Sequence, residues 1–296
     1  MNMVRLRLPA TSANLGPGFD ALALALDLYL EIEAMPARQF GIDAFGRNAD
    51  ICGGLTRNLL IETYKSVLAE EQRPLVPLAL RVHNGIPVGM GCGSSAAVRL
   101  AGVALASAFG GLDWEAARIV ERAVRLEGHP DNVAACFLGG MTISSVTDGS
   151  VITATCGQNL MWDLLLALPS AGLATSKARA LLPSMYSRED AVANIQAATL
   201  LVAAFAQGRG ELLRTAMRDR LHQPYRMEAC PLLRLLLPLS EHPSILGVSL
   251  SGAGPSVLLI AKATTSGSLD AVIREAAKDA ELEILHTKIS SGILQA

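Results

Sequence analysis

The sequence predicts a chain of mixed strands and helices in two halves, on three observations. It has 296 residues, 51% of them hydrophobic, enough for one large core or two ordinary ones. Period-two and period-3.6 apolar runs succeed one another along it. A fresh set of apolar segments begins after about residue 155, so the halves are expected at 1–155 and 156–296.

Val4, Leu6 and Leu8 alternate with Arg5 and Arg7 and predict a strand. A loop is expected over 9–20, where Thr11, Ser12, Asn14, Gly16, Pro17 and Gly18 concentrate turn-forming types. The apolar run 21–33 predicts a second strand, and 58–70 a helix. A strand over 78–82 feeds a glycine-rich loop at 87–93. A helix over 94–109 stops at Gly110 and Gly111. Asp113 is expected to cap the next helix, which runs to about Glu127 and ends at Gly128. Residues 129–141 read as a loop and short helix closing on Gly139 and Gly140. Strands are expected at 142–146 and 151–155, then at 164–168, 247–250 and 257–260, with helices at 187–207 and 210–221.

The formal net charge is -2, which gives no electrostatic case for a nucleic-acid partner. Only 18% of residues are charged, too few for long disordered stretches. The five cysteines form no CxxC pair and are odd in number, which argues against a disulfide framework or structural zinc. The start, MNMVRLRLPATSAN, lacks the apolar segment of a signal peptide, and the apolar stretches are too short or too interrupted to span a bilayer. A cytoplasmic chain without a membrane partner is expected. A homodimer is compatible with the sequence, which does not itself define the oligomeric state.

Residues 87–97 read PVGMGCGSSAA. Gly89, Gly91 and Gly93 let backbone N–H groups approach a phosphate closely. The helix opening at Ser94 and Ser95 adds unpaired amide donors and a positive dipole end. A tight strand-to-helix turn is the bland alternative. No GxxxxGK[ST] is present, and a GxGxxG would need glycine at Ser94.

Four other segments carry polar clusters. Asn14 and Asp20 lie in the turn-rich segment PATSANLGPGFD; they either hold turns or aim a carboxylate at a site. The string HPDNVA places His129, Asp131 and Asn132 together, suited to polar recognition or, through Asp131, to capping a helix. Thr175 and Arg179 would share a helix face. With Arg226 in DRLHQPYR, Arg179 offers forked donors that suit carboxylates, although surface arginines are common. Residues 251–256, SGAGPS, lie between two strand candidates.

Taken in order, these strings resemble the homoserine kinases, within the superfamily of galactokinase, homoserine kinase, mevalonate kinase and phosphomevalonate kinase. PATSANLGPGFD is similar to their N-terminal motif, PVGMGCGSSAA to PxxxGLGSSAA, GHPDNVA to GHxDNVAP, and SGAGPS to the third motif. Cys92 stands where the family carries a leucine-like residue, and Ala135 where it carries proline. The matches run from residue 4 to about 260.

The resemblance implies an α+β chain: a ribosomal-S5-like N-terminal domain, a ferredoxin-like C-terminal domain and a site between them. It implies transfer of a phosphoryl group from ATP to L-homoserine, a step toward threonine. Pro87, Val88, Gly89, Met90, Gly91, Cys92, Gly93, Ser94, Ser95, Ala96 and Ala97 would cradle the triphosphate, and Asn58 would contact adenosine. Magnesium would be held by Ser94 or Ser95 and by Glu121, eight positions before His129 as in the family. Glu127 is the rival ligand, and an ion pair with Arg118 or Arg125 is the bland alternative for Glu121. Asn14, Asp20, Thr175, Arg179, Arg226 and Gly252 would bind homoserine, with Asp20 taking the ammonium. His129, Asp131 and Asn132 would line the reacting hydroxyl, with Asp131 the candidate base. Two other functions stay open: a sister kinase for another small alcohol, and a non-catalytic binder of ATP or an amino acid.

Overall fold

The computed structural model describes residues 3–263 and 266–295. The chain opens with strand β1 (Val4–Asn14), a turn at 15–17 and the long strand β2 (Gly18–Pro36). β1 and β2 pair antiparallel, Thr11 facing Ala25 and Ser12 facing Leu24. The loop expected over 9–20 therefore shrinks to a turn. Thr11 and Ser12 are fully buried: their residue types suggest a turn, but they line an interior.

β3 (Gly41–Gly46), α1 (Ala49–Cys52), α2 (Leu59–Glu70) and β4 (Leu78–Asn84) follow. The glycine loop then leads into α3 (Ser94–Phe109), α4 (Ala116–Glu127), α5 (Asp131–Leu138) and the hairpin β5 (Met141–Thr147) with β6 (Ser150–Cys156). Asp113 does not cap α4. It adopts a left-handed φ of 48° in the preceding turn, and Glu115 is the N-cap, without a side-chain bond.

The second half begins with β7 (Asp163–Leu168) and the helices α6 (Thr175–Ala180) and α7 (Arg188–Gln207). The helix expected over 210–221 is broken into a 3-10 turn (Gly210–Leu212), one α turn, α8 (Leu213–Ala216), and a loop. The Asp219 carboxylate is the physical reason. It accepts from the amides of Leu221, His222 and Gln223 and starts a new helix, α9 (Gln223–Arg226), instead of continuing the old one. α10 (Pro231–Leu236), β8 (Ile245–Leu250), β9 (Val257–Ala261), α11 (Ser266–Ala277), β10 (Glu283–Thr287) and β11 (Leu294–Gln295) complete the order.

Two sheets organise these elements. The first runs β11-β1-β2-β4-β3, and β5 with its partner β6 joins it along the first part of β2. The second is antiparallel in the order β10-β7-β9-β8. With α7 and α11 as its crossovers, this is the β-α-β-β-α-β arrangement of a ferredoxin-like domain. The chain is α+β, with β11 returning to β1 in the first sheet.

The apolar run of β7 explains how the halves join. Leu164, Leu166 and Leu168 belong to the large core shared with α2, α3 and β2, whereas Leu165 and Ala167 face the second core with Leu233, Leu259 and Ile273. A strand buried on both faces reads as a continuous apolar string, as this one does. The site lies where the β1–β2 turn, the N-terminus of α3, the start of α5 and the β8–β9 turn converge.

Candidate active site

The glycine loop is held by its carbonyls. Gly89 O accepts from Leu173 N at 3.2 Å, Gly91 O from Ser251 Oγ at 2.9 Å, and Cys92 O from Thr11 N at 3.1 Å. With the carbonyls turned to protein, the first helical bond of α3 is Ala97 N to Gly93 O. The amides of Ser94, Ser95 and Ala96 precede it and carry the unpaired donors of a helix N-terminus.

Two glycines are required by shape. Gly93 sits at φ +68°, and a Cβ there would lie 1.8 Å from Thr11 Oγ1. At Gly91 a Cβ would lie 2.2 Å from Ser251 O. The loop is thus pressed against both β1 and the β8–β9 turn.

Loop and turn border a cavity of about 440 Å³, a common size for a small-molecule site. Val88, Gly89, Gly91, Cys92, Gly93, Ser94 and Ser95 line it, whereas Pro87, Met90, Ala96 and Ala97 do not. Burial pushes the Cys92 thiol up to about 12, so it packs as a small apolar group. One end of the cavity is apolar, with Leu30, Cys52, Leu60, Val82 and Val98. Asn58 borders that end, but its side chain caps α2, accepting from Leu60 N and Ile61 N and donating to Cys52 O and Gly54 O. Its polar atoms are committed to the fold.

The acidic residue beside the loop is Glu127. Its Oε2 accepts from Ser95 Oγ at 2.8 Å and lies 2.8 Å from Arg99 Nε. Glu121, preferred from the sequence, is placed elsewhere. It lies on a surface groove with Trp114, Arg118, Arg122 and Arg125. The six intervening steps of α4 turn it roughly 120° away from Glu127. Among the described residues no ion pair joins Glu121 to Arg118 or Arg125, and Arg118 pairs with Glu71 instead.

At the start of α5 the HPDNVA residues form one network. Asp131 Oδ1 accepts from His129 Nδ1 at 2.9 Å and from Asn132 N at 2.6 Å. Asn132 Oδ1 in turn accepts from Thr11 Oγ1 at 2.7 Å. Asp131 sits at the first helical position after the N-cap Pro130, and no side-chain cap forms. The Asp131 contact raises the His129 pKa above its ordinary value, against the opposing effect of burial. Thr11 was not singled out from the sequence. Alternation from Val4, Leu6 and Leu8 places Thr11 on the opposite face, and β1 is buried without a break from Leu8 to Asn14, so no local pattern marked it.

The remaining candidates gather opposite. Asn14 donates to Gly252 O at 2.8 Å and accepts from Asp20 N at 3.1 Å, so it holds the turn and ties it to the β8–β9 loop. Asp20 receives both Arg179 Nη1 at 2.8 Å and Nη2 at 2.7 Å. Two residues read as separate substrate contacts therefore engage each other. Thr175 opens α6 and borders the cavity. Arg226 is fully buried and donates to Ala178 O, His222 Nδ1 and Gly252 O. Its guanidinium and that of Arg179 both stack near the Phe19 ring, at 5.5 and 5.3 Å. Burial lowers the Arg226 pKa, and the Asp20 contact raises that of Arg179.

A glycine loop at a helix N-terminus, the Glu127–Ser95 oxygen pair and a charged wall around one cleft suit a small-molecule phosphotransferase. The family models agree: the GHMP kinases N terminal domain matches residues 58–140, and the GHMP kinases C terminal domain matches 201–281. The chain is 46% identical to the homoserine kinase of Solibacter usitatus, covering 86% of this chain and 84% of that protein. It is 37% identical to the homoserine kinase of Synechococcus sp., covering 87% and 85%. The crystal structure of homoserine kinase from Cytophaga hutchinsonii superposes with a TM-score of 0.85 at 21% identity, covering 100% and 98% of the two chains. A putative homoserine kinase from Listeria monocytogenes superposes at 0.76 with 29% identity, covering 99% of each. The chain belongs to the GHMP kinases and, among them, to the homoserine kinase family. It is an ATP-dependent kinase, and among the described residues no helix is long and apolar enough to cross a membrane.

Proposed function

We propose that the chain transfers the γ-phosphoryl group of ATP to the hydroxyl of L-homoserine, giving O-phospho-L-homoserine and ADP, in the cytoplasm. One observation carries this reading. A single cleft is lined by the glycine loop, by Glu127 with Ser95, and by the opposed charges of Asp20, Arg179 and Arg226. A zwitterionic alcohol needs that combination.

In this reading the apolar end receives adenine and the loop amides receive the triphosphate. Glu127 and Ser95, with Ser94 alongside, are hard oxygen donors suited to Mg2+. Among the described residues no group of three or more His, Cys, Asp or Glu stands ready as a metal cage. That suits an ion held by one carboxylate and completed by phosphates and water. Bound there, the ion would neutralise phosphate charge.

Homoserine enters by exchange: its ammonium replaces Arg179 at Asp20, and its carboxylate replaces Asp20 at Arg179. Arg226 adds a further donor, Nη2, to the carboxylate, since its Nε and Nη1 are held by the protein. A zwitterion leaves no charge unpaired in this exchange, whereas an acceptor with one charge breaks the pair and returns only half of it. Asn14, Thr175 and Gly252 complete the head-group site. The substrate hydroxyl then meets Asp131, whose Oδ1 is already occupied by His129 and Asn132, so Oδ2 is the oxygen available for the proton. Phosphoryl transfer depends mainly on positioning and charge neutralisation, so this proton transfer adds modestly. Phosphorus NMR of a reaction containing MgATP and L-homoserine tests the reading. It requires a new phosphomonoester signal coupled to the homoserine γ-methylene; ATP turnover without that signal rejects it.

A further inference from the structure

Behind the head-group wall lies His222, with no solvent exposure. Its Nε2 is 2.7 Å from Gly16 O, in the β1–β2 turn, and its Nδ1 is 3.1 Å from Arg226 Nη1. The two contacts define the ring's proton independently. A carbonyl only accepts, so Nε2 must carry the hydrogen. A guanidinium only donates, so Nδ1 must offer its lone pair. Both conditions select the same neutral tautomer. An imidazolium would instead aim an N–H from Nδ1 at the N–H of Arg226.

We propose that His222 is a positioning residue for homoserine recognition: its single neutral tautomer holds the Arg226 guanidinium at the pocket on one side and clasps the β1–β2 turn on the other. The proposal rests on the reading of Arg226 as a carboxylate contact. Arg226 Nε and Nη1 are held by Ala178 O, His222 Nδ1 and Gly252 O, which leaves Nη2 for a ligand. The same histidine joins the turn carrying Asn14 and Asp20 to the second half, so both charges of the head-group site are set by one ring.

The groups around the ring support a neutral state. Asp219 Oδ2 lies 3.6 Å from Nε2, but it is held by the His222 and Gln223 amides. Arg226 disfavours a proton, Asp20 and Asp219 favour one, and Phe19 packs at 5.5 Å. Beyond these, Arg179 acts on Arg226, and Tyr186 lies close enough to feel Asp219 and Arg226. Burial is the largest influence and lowers the His222 pKa below its ordinary value. The stabilising effect of the neutral ring is therefore present above about pH 6.5 and is lost as pH falls through the lower folded value.

Two substitutions separate the ring's two contacts. In His222→Asn the side-chain oxygen can stand at the Nδ1 position and keep Arg226 supported, while the Gly16 contact goes. In His222→Gln the amide nitrogen can reach Gly16, while the acceptor for Arg226 goes. A KM for homoserine raised at least about tenfold in His222→Gln, corresponding to one lost charge-assisted bond, is expected, with kcat and the KM for MgATP little changed. His222→Asn should show a clearly smaller rise. Equal effects of the two, or a fall in kcat with KM unchanged, overturns the proposal. Long-range 1H–15N NMR of the parent protein supplies a test that needs neither variant folding nor homoserine. It should show His222 protonated at Nε2 and free at Nδ1 from pH 8 to below 6.5; an Nδ1–H tautomer or an imidazolium at pH 7 overturns the clasp. Absence of homoserine turnover by the parent would reject the proposed function and leave this NMR outcome to decide the clasp.

Discussion

Replacing Glu127 by glutamine isolates the charge beside the phosphate loop. The side chain is 11% exposed, and its Oε2 lies 2.8 Å from both Ser95 Oγ and Arg99 Nε. Glutamine keeps the size and one acceptor oxygen but removes the anion that a hard cation prefers. A hydrogen bond or contact to a charged group is worth about 1.5–3 kcal/mol. Loss of the metal contact alone therefore predicts roughly a ten- to hundredfold fall in kcat/KM for MgATP. Arg99 remains partly exposed and can turn to water, so the stability cost should stay near 1 kcal/mol. A coupled ADP-release assay across Mg2+ concentrations reads the first effect, and chemical denaturation the second. Glu121→Gln is the internal control, because a groove residue away from the loop should change the rate by no more than about twofold. Parental turnover in Glu127→Gln with a deep loss in Glu121→Gln would refute the placement of the metal.

Two further perturbations address the loop and the HPDNVA network. Gly93→Val adds a branched side chain at φ +68° and drives its Cβ into Thr11 Oγ1. ATP affinity should fall at least about tenfold, and unchanged affinity by calorimetry would remove the loop from the nucleotide site. Asp131→Asn removes the main cause of the raised His129 pKa, so an NMR titration should show that pKa moving down. In the parent the His129 contribution to stability is full below about pH 6.5 and is lost as pH rises through the raised folded value. A His129 titration unmoved by Asp131→Asn contradicts this.

Local pattern captured most of the scaffold. The α3 boundaries, Ser94–Phe109, follow from a left-handed glycine on one side and paired glycines on the other. The run DLLLAL was legible as a strand, and its double burial explains the missing polar alternation. What escaped depended on tertiary partners. PATSAN looks like a turn by composition, yet β2 pairs along it, Cys92 O accepts from Thr11 N, and α5 receives the Thr11 hydroxyl. The helix read over 210–221 fails because Asp219 captures three amides ahead of it.

In the site, the strings that carry the loop and the charged residues are long and keep their order, and they converge on one cavity. Glu121 lies outside the cleft because counting back from His129 ignores which face of α4 meets α3. Mutual pairing of Asp20 with Arg179, and the clasp at His222, join segments from different halves of the chain, and no local spacing reports such contacts.

The central claim is that the cleft reads a zwitterionic alcohol, and one comparison tests it most directly. Measure kcat/KM for L-homoserine and for the same alcohol lacking the amino group, with the parent and with Asp20→Asn. Asp20 is partly exposed, so solvent screening sets the expected preference near the lower end for a charge-assisted contact, about tenfold. The parent should favour homoserine by at least that factor, and Asp20→Asn should erase most of the preference by losing homoserine turnover rather than gaining the analogue. A parent enzyme that phosphorylates the deaminated alcohol as readily as homoserine would contradict the account.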